Sequence, residues 1–280
     1  MKLSESFFDT GEISLHVMEG PRSGSPLVLL HGATSNWQDW QGLLPQLVDH
    51  WHVYVLDQRG HGESGRAADI AGYHLSAFAG DALAFLRGRV RQPAVLYGHS
   101  WGAVTAMLCG GPARHLVSGL VLEDPPVHLR HETPAMNPIM NYFAWTRDML
   151  RANASLEAFT RVLRQQNPDM PAEELAKWAS AIFHTDPVYL DAVLTRSGVA
   201  QGLNFEQAIQ EIACPILLLQ ADLAKGSAMD DGDVDLFRRN AHHLEIVYFE
   251  GAGHGIHDER PAQVVELVNA FPQKISASLF

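Results

Sequence analysis

Gly98-His99-Ser100-Trp101-Gly102 decides the fold of this chain. It follows the apolar run Ala94-Val95-Leu96-Tyr97 and opens a helix-compatible run from Ala103 to Cys109. G-x-S-x-G in that setting predicts a strand that turns sharply into a helix, with the serine strained at the bend. Flanking glycines spare the turn the collisions that larger side chains would make. The bend lifts the Ser100 hydroxyl above the strand ends, beside a helix N-terminus. There the Trp101 amide can donate to an oxyanion.

Outward from this turn, apolar runs at Pro26–His31, His52–Asp57, Ala94–Tyr97, Leu116–Leu122, Pro215–Gln220 and Leu244–Phe249 read as buried strands. Several are continuous Val/Ile/Leu runs, as parallel strands covered on both faces require. Between them, Ser76–Arg89, Asp230–Asn240 and Arg260–Phe271 carry apolar residues near helical spacing, the last with Pro261 at its start. The alternation predicts an α/β fold: a doubly wound, mostly parallel sheet with ligands at the carboxyl ends of its strands.

From about Val127 to Leu203 the strand rhythm stops and helical patterning takes over. The expected organisation is a core domain of residues 1–126 and 204–280 with a helical cap subdomain at 127–203. Its apolar residues, among them Met136, Met140, Tyr142, Phe143, Trp145, Trp178 and Tyr189, chiefly build the cap interior. Some should face the cleft, because the insertion begins where a strand ends at the catalytic edge. Met136, Met140 and Trp145, together with His31, are the expected pocket residues.

The 280 residues suffice for one large domain with an insertion, and the 46% hydrophobic and 19% charged fractions are those of a globular chain. A net charge of −12 argues against nucleic acid or an anionic membrane as partner. The 15 histidines form no H-E-x-x-H or paired-ligand spacing, so no metal is expected. Cys109 and Cys214 read as small buried hydrophobes and not as a disulfide. No apolar segment suggests a signal peptide or the ~18 residues of a membrane helix, so a cytoplasmic location is expected.

A serine nucleophile needs a base, and the base an orienting acid. Gly251-Ala252-Gly253-His254-Gly255 follows the last strand and puts His254 on a loop at the same sheet edge as Ser100. His257 starts the next helical stretch and fits local packing or hydrogen bonding better.

Taken together, the chain resembles the α/β-hydrolase superfamily over nearly its whole length. His31-Gly32-Ala33 is similar to that family's H-G-x oxyanion turn, and Asp57-Gln58-Arg59-Gly60-His61-Gly62-Glu63-Ser64 to its D-x-R-G-x-G-x-S loop. The Ser100 turn and the G-x-G-H-x-x-H pattern ending at His257 complete the set. The resemblance implies that Ala33 and Trp101 supply the oxyanion amides, and that Asp57, Arg59 and Ser64 brace their loop. It leaves the acid open. Relatives usually place it after the penultimate strand, where Pro215-Ile216-Leu217-Leu218-Leu219-Gln220-Ala221-Asp222-Leu223-Ala224 has alanine at the expected position and Asp222 two residues early. Asp230, Asp231 and Asp233 fit helix capping. Asp124, in Leu122-Glu123-Asp124-Pro125-Pro126, matches relatives that carry the acid one strand after the nucleophile. Asp124 is ranked first and Asp222 second.

Relatives of this fold that open epoxides or remove halide attack with aspartate, and Ser100 does not fit them. The expected activity is cleavage of a carboxylic ester, lactone or carbamate of a small, largely apolar molecule through an acyl-enzyme, with no cofactor. A C–C bond hydrolase is the alternative within the fold; it would want a cation under the cap, for which Arg130, Arg147 and Arg151 are candidates. A non-catalytic ligand receptor is the alternative from another class. The expected partner is the small-molecule substrate alone, and a homodimer is compatible with this reading.

Overall fold

The computed structural model of the protein describes residues 2–111, 115–127, 138–152, 155–195 and 199–277. Eight strands form one sheet: β1 (Ser4–Asp9), β2 (Ser14–Glu19), β3 (Ser25–Leu30), β4 (Trp51–Leu56), β5 (Ala94–His99), β6 (Val117–Glu123), β7 (Ile216–Ala221) and β8 (Leu244–Phe249). Their order across the sheet is β1-β2-β4-β3-β5-β6-β7-β8. Pairing is antiparallel for β1 with β2 and β2 with β4, and parallel from β4 through β8. The six apolar runs read from the sequence are the six strands from β3 to β8. The β1–β2 hairpin lies outside that expectation. β1 is an edge strand whose residues are exposed or half-buried, Phe7 to 58%, so it lacks the apolar run that marks the others.

Helices cover both faces: α1 (Leu44–Leu47), α2 (Leu75–Phe85), α3 (Trp101–Cys109), α4 (Pro138–Arg151), α5 (Leu156–Gln166), α6 (Ala172–Phe183), α7 (Pro187–Leu194), α8 (Phe205–Gln210), α9 (Asp231–Asn240), α10 (Ile256–Glu259) and α11 (Pro261–Ala277). The strand period of two sorts the core into two layers. Val28, Leu30, Leu96, Leu120, Leu122 and Leu218 point to a layer filled by Phe78 and Phe85 of α2, Met107 of α3 and Phe237 of α9. Leu27, Leu29, Val95, Tyr97, Val121 and Leu217 meet Trp40, Leu44, Val264 and Phe271 on the other side. Cys109 and Cys214 are both buried and free.

The insertion between β6 and β7 has a small core of its own, where Phe159, Leu163, Leu175, Ala179 and Ile182 pack together. Trp145, expected at the pocket, belongs to this core and stacks on Phe159 at 5.8 Å between ring centroids. The correction follows from helical phase: α4 turns Met140 and Phe143 toward the main core and Trp145 toward α5. The insertion is fastened to the sheet domain at Asp186. Its amide donates to Gly60 O at 2.7 Å, and its carboxylate accepts the Tyr73 hydroxyl at 2.5 Å.

Candidate active site

Ser100 lies at the β5–α3 junction with φ 52° and ψ −115°, a conformation L-residues avoid. Geometry explains the flanking glycines. A Cβ on Gly98 would sit 2.1 Å from Gly102 O, and one on Gly102 would sit 2.0 Å from Leu30 O. The bend is further pinned by the Ser100 amide, which donates to Glu123 O at 2.8 Å. Trp101 is the first residue of α3, so its amide points out of the helix start with no intrahelical acceptor.

The His31-Gly32-Ala33 turn packs directly on this bend: a Cβ on Gly32 would meet Ser100 Cβ at 3.3 Å. Two buried histidines fix the turn. His31 accepts from the Gln58 amide through Nε2 (2.9 Å) and donates through Nδ1 to Gly32 O (2.7 Å). His61 accepts from the Thr34 amide through Nε2 (3.3 Å) and donates through Nδ1 to Arg59 O (2.9 Å). Burial, helped by the neighbouring His31, pushes the His61 pKa down to about 3, so it stays a neutral acceptor. Thr34 takes φ 56° beside Ala33. His31, expected on the pocket wall, is therefore corrected to a brace beneath the turn: it is fully buried and both ring nitrogens are engaged.

The loop from Asp57 to Ser64 holds this assembly to the rest of the sheet. Asp57 accepts from the Trp37 amide (2.7 Å), the Glu63 amide (3.1 Å) and His16 Nδ1 (2.8 Å). Arg59 makes a two-pronged bond to Asp81 at 2.7 and 2.8 Å and donates to Gly72 O at 2.6 Å.

Asp124 follows β6 with φ 47° and is fully buried. Its Oδ2 lies 2.7 Å from His254 Nδ1 and also accepts the Ala228 amide at 2.6 Å. Its Oδ1 accepts the Ser227 hydroxyl at 2.6 Å and the Ala221 amide at 3.3 Å. The first-ranked acid of the sequence thus sits on the expected base. The second is engaged elsewhere. Asp222 caps the short turn Leu223–Lys225, accepting the Ala224 and Gly251 amides, each at 2.9 Å. Asp230 and Asp233 form a capping box at the start of α9. The His254 side chain is 34% exposed, and its ring lies 4.6 Å from that of His99, the neighbour of Ser100.

Sequence reasoning missed what stands behind these residues. Ser227 has no motif around it and is recruited to Asp124 only by the fold. Glu123, adjacent to Asp124, is fully buried; it accepts the Tyr97 hydroxyl, the His257 amide (3.0 Å) and His257 Nδ1 (2.8 Å). Burial pushes the Glu123 carboxyl up, but the charge and hydrogen bond of His257, with His99 and Tyr97, outweigh it and hold it at about 2. His257 thus turns away from Asp124.

Beside the bend lies a cavity of about 160 Å³ lined by Leu75, Trp101, Val104, Met140, Val193 and Phe205, with Gln201 the polar member of its wall. Met140 is 3% exposed. Arg147 and Arg151 of α4 are drawn to carboxylates, Arg147 to Asp148 (2.8 Å) and Arg151 to Asp191. Met136 and Arg130 lie outside the described residues. No helix among the described residues is long and apolar enough to cross a membrane.

Comparison with known proteins agrees with this fold. The 2-(acetamidomethylene)succinate hydrolase of Mesorhizobium japonicum is 26% identical over 269 residues, covering 94% of this chain and 93% of that protein. Epoxide hydrolase A of Mycobacterium tuberculosis is 25% identical over 316 residues, covering 96% and 97%. The crystal structure of the enol-lactonase from Burkholderia xenovorans superposes with a TM-score of 0.75 at 17% identity, over 96% of this chain and 100% of that one, a likeness of fold. Residues 27–267 match the profile of the alpha/beta hydrolase family, and the chain belongs to that family.

Proposed function

We propose that the protein is a serine hydrolase that cleaves a carboxylic ester, lactone or carbamate of a small, largely apolar molecule. The observation that carries this reading is the 2.7 Å contact between His254 Nδ1 and the buried Asp124 carboxylate, at the edge where Ser100 is held in its strained turn. A carboxylate accepts only, so Nδ1 carries the proton and Nε2 keeps its lone pair for the serine hydroxyl. His254 deprotonates Ser100 as the oxygen attacks the carbonyl carbon. Charge on the carbonyl oxygen is met by the Ala33 and Trp101 amides, each contributing on the order of 3 kcal/mol to the barrier. His254 then protonates the leaving group, and a water activated by the same ring releases the acid.

The helices between β6 and β7 act as the cap over this edge, and the cavity beside Trp101 takes the apolar part of the substrate. Its lining favours hydrocarbon over charge. The C–C bond alternative needs a cation for substrate carboxylates, and of its candidates Arg147 and Arg151 pair with Asp148 and Asp191. The nucleophile distinguishes the chain from aspartate-dependent members of the fold.

Hydrolysis of p-nitrophenyl butyrate by the wild type and by S100A, with mass spectrometry of the quenched enzyme, tests the reading. Turnover with an acyl adduct on the Ser100 peptide is expected, and neither in S100A. Turnover that persists in S100A, or a folded wild type inert toward a panel of esters and lactones, would overturn it.

A further inference from the structure

Beside His254, whose ring lies 4.6 Å from that of His99, three side chains converge. Asp39 comes from the turn Trp37–Gly42, His99 from the end of β5 and His257 from α10. Asp39 Oδ2 stands 3.8 Å from His99 Nδ1 and 3.8 Å from His257 Nε2, and all three atoms lie within 4.8 Å of one another. These separations exceed hydrogen-bond length. Each of the three atoms is buried, and none has a hydrogen-bond partner among the described residues.

The tautomers follow from the opposite ring nitrogens. His257 Nδ1 faces the Glu123 carboxylate at 2.8 Å, an acceptor, so Nδ1 carries the hydrogen. His99 Nε2 faces the His254 carbonyl at 3.1 Å, again an acceptor, so Nε2 carries it there. Binding a metal takes both rings in their neutral form, and they then present lone pairs to the same point as the Asp39 carboxylate. In that form three acceptors face one another with no donor between them, and repel. A single water has only two protons to offer them. A cation between them satisfies all three.

We infer that Asp39, His99 and His257 form a binding site for a divalent transition-metal ion of the zinc type, distinct from the Ser100–His254–Asp124 constellation. The space has the right size. A point equidistant from the three atoms falls roughly 2.1–2.5 Å from each, within a few tenths of an ångström of the ~2.0–2.2 Å bonds zinc makes to imidazole and carboxylate. Two imidazoles and a carboxylate suit zinc and its neighbours better than calcium or magnesium, which prefer oxygen throughout. The outer contacts are those of metal-bound histidines, each ring tied through its second nitrogen to a carboxylate or a carbonyl. Trp40 stacks on His257 at 4.9 Å and holds the ring in place. Asp258 Oδ2, 3.8 Å from His257 Nε2, offers a further oxygen, and the 20% exposure of the Asp39 side chain gives the ion a way in. His99 also holds the carbonyl of His254, so a bound ion would act on the base only by fixing its loop.

The test uses the intact protein, stripped with a chelator and titrated with zinc chloride against a competing chromophoric chelator. One equivalent of tightly bound zinc is expected, with affinity at least about 100-fold weaker in D39N, since even an outer partner of a metal histidine is worth ~10–100-fold. Because a variant could misfold, the second measurement is on the wild type: crystals grown with zinc, with diffraction at the zinc absorption edge. An anomalous peak between Asp39, His99 and His257 supports the site. No such peak, no stoichiometric zinc, or equal affinity in a folded D39N overturns it, leaving the space to protons and water.

Discussion

His254 Nδ1 and Asp124 Oδ2 meet at 2.7 Å although 130 residues separate them in the chain, and the carboxylate they share is fully buried while the imidazole is 34% exposed. That asymmetry is what an orienting acid needs: fixed position below, access to substrate above. D124N should retain the fold and lose kcat by about 10³–10⁴-fold, because an amide in that place can stabilise the wrong tautomer. D222N removes only a turn cap and should keep kcat within about twofold. Steady-state kinetics on p-nitrophenyl butyrate separate the two, and an inactive D222N beside an active D124N would reverse the assignment.

Ser227 donates to Asp124 Oδ1 at 2.6 Å. A hydrogen bond to a charged group contributes about 1.5–3 kcal/mol, and its loss lets the carboxylate and the imidazole it aims drift. S227A should lower kcat by roughly 10-fold with little change in KM. A change confined to KM would place Ser227 in substrate binding.

The cavity wall gives a size test. Val104 and Val193 line the space of about 160 Å³ beside Trp101. V193W should fill it and raise KM for hexanoyl over acetyl esters by about tenfold, the ~1.4 kcal/mol of one or two methylenes refused burial. An acyl-length profile identical to the wild type would show that substrate binds elsewhere.

Two glycines on neighbouring helices should respond oppositely to the same substitution. At Gly102 a Cβ meets backbone oxygen at 2.0 Å, so G102A must displace β3 and should cost more than ~4 kcal/mol, read as little or no folded protein. At Gly80, in the exposed face of α2, a Cβ meets nothing within 4 Å. G80A should stabilise by about 0.5–1 kcal/mol through reduced backbone freedom in the unfolded chain, measurable by urea denaturation.

The His16–Asp57 pair sets a pH window for stability. Burial is the largest influence on His16 and lowers its pKa, but the hydrogen bonds and charges of Asp57 and Glu5 outweigh it and leave it raised above 6.5. Burial likewise pushes Asp57 up, and His16, His31 and the Glu63 and Trp37 amides pull it below 3.8. His16 therefore contributes stability in full below pH 6.5, lost as pH rises through its folded value. Asp57 contributes above 3.8, lost as pH falls through its folded value. H16N, whose amide nitrogen can replace Nδ1–H without titrating, should flatten the alkaline limb of Tm against pH and leave the acid limb in place. An unchanged alkaline limb would assign that slope to another group.

How far the chain could be read in advance follows from the range of the forces involved. The strands β3 to β8 are legible because a doubly covered strand must be apolar at nearly every position. β1 is not, since an exposed edge strand needs no such run. The bend at Ser100 is legible because its glycines answer steric collisions within the turn and the adjoining strand end. Trp145 and His31 could not be placed from composition. Helix phase carries Trp145 into the interior of the insertion, and His31 spends both ring nitrogens on Gly32 and Gln58.

The sequence by itself determined the layered sheet, the family and the strained serine turn, all of which rest on short-range periodicity and sterics. The tertiary structure alone decided which aspartate meets His254, because Asp124 and Asp222 lie at the ends of adjacent parallel strands and both could reach the same edge. Hydrogen-bond saturation separates them: the Asp222 carboxylate is engaged by the Ala224 and Gly251 amides, while Asp124 is buried, held by Ser227 and Ala228, and aimed at the imidazole. Only the fold, likewise, brings Asp39, His99 and His257 together, since no spacing along a chain encodes the convergence of a turn, a strand end and a helix start.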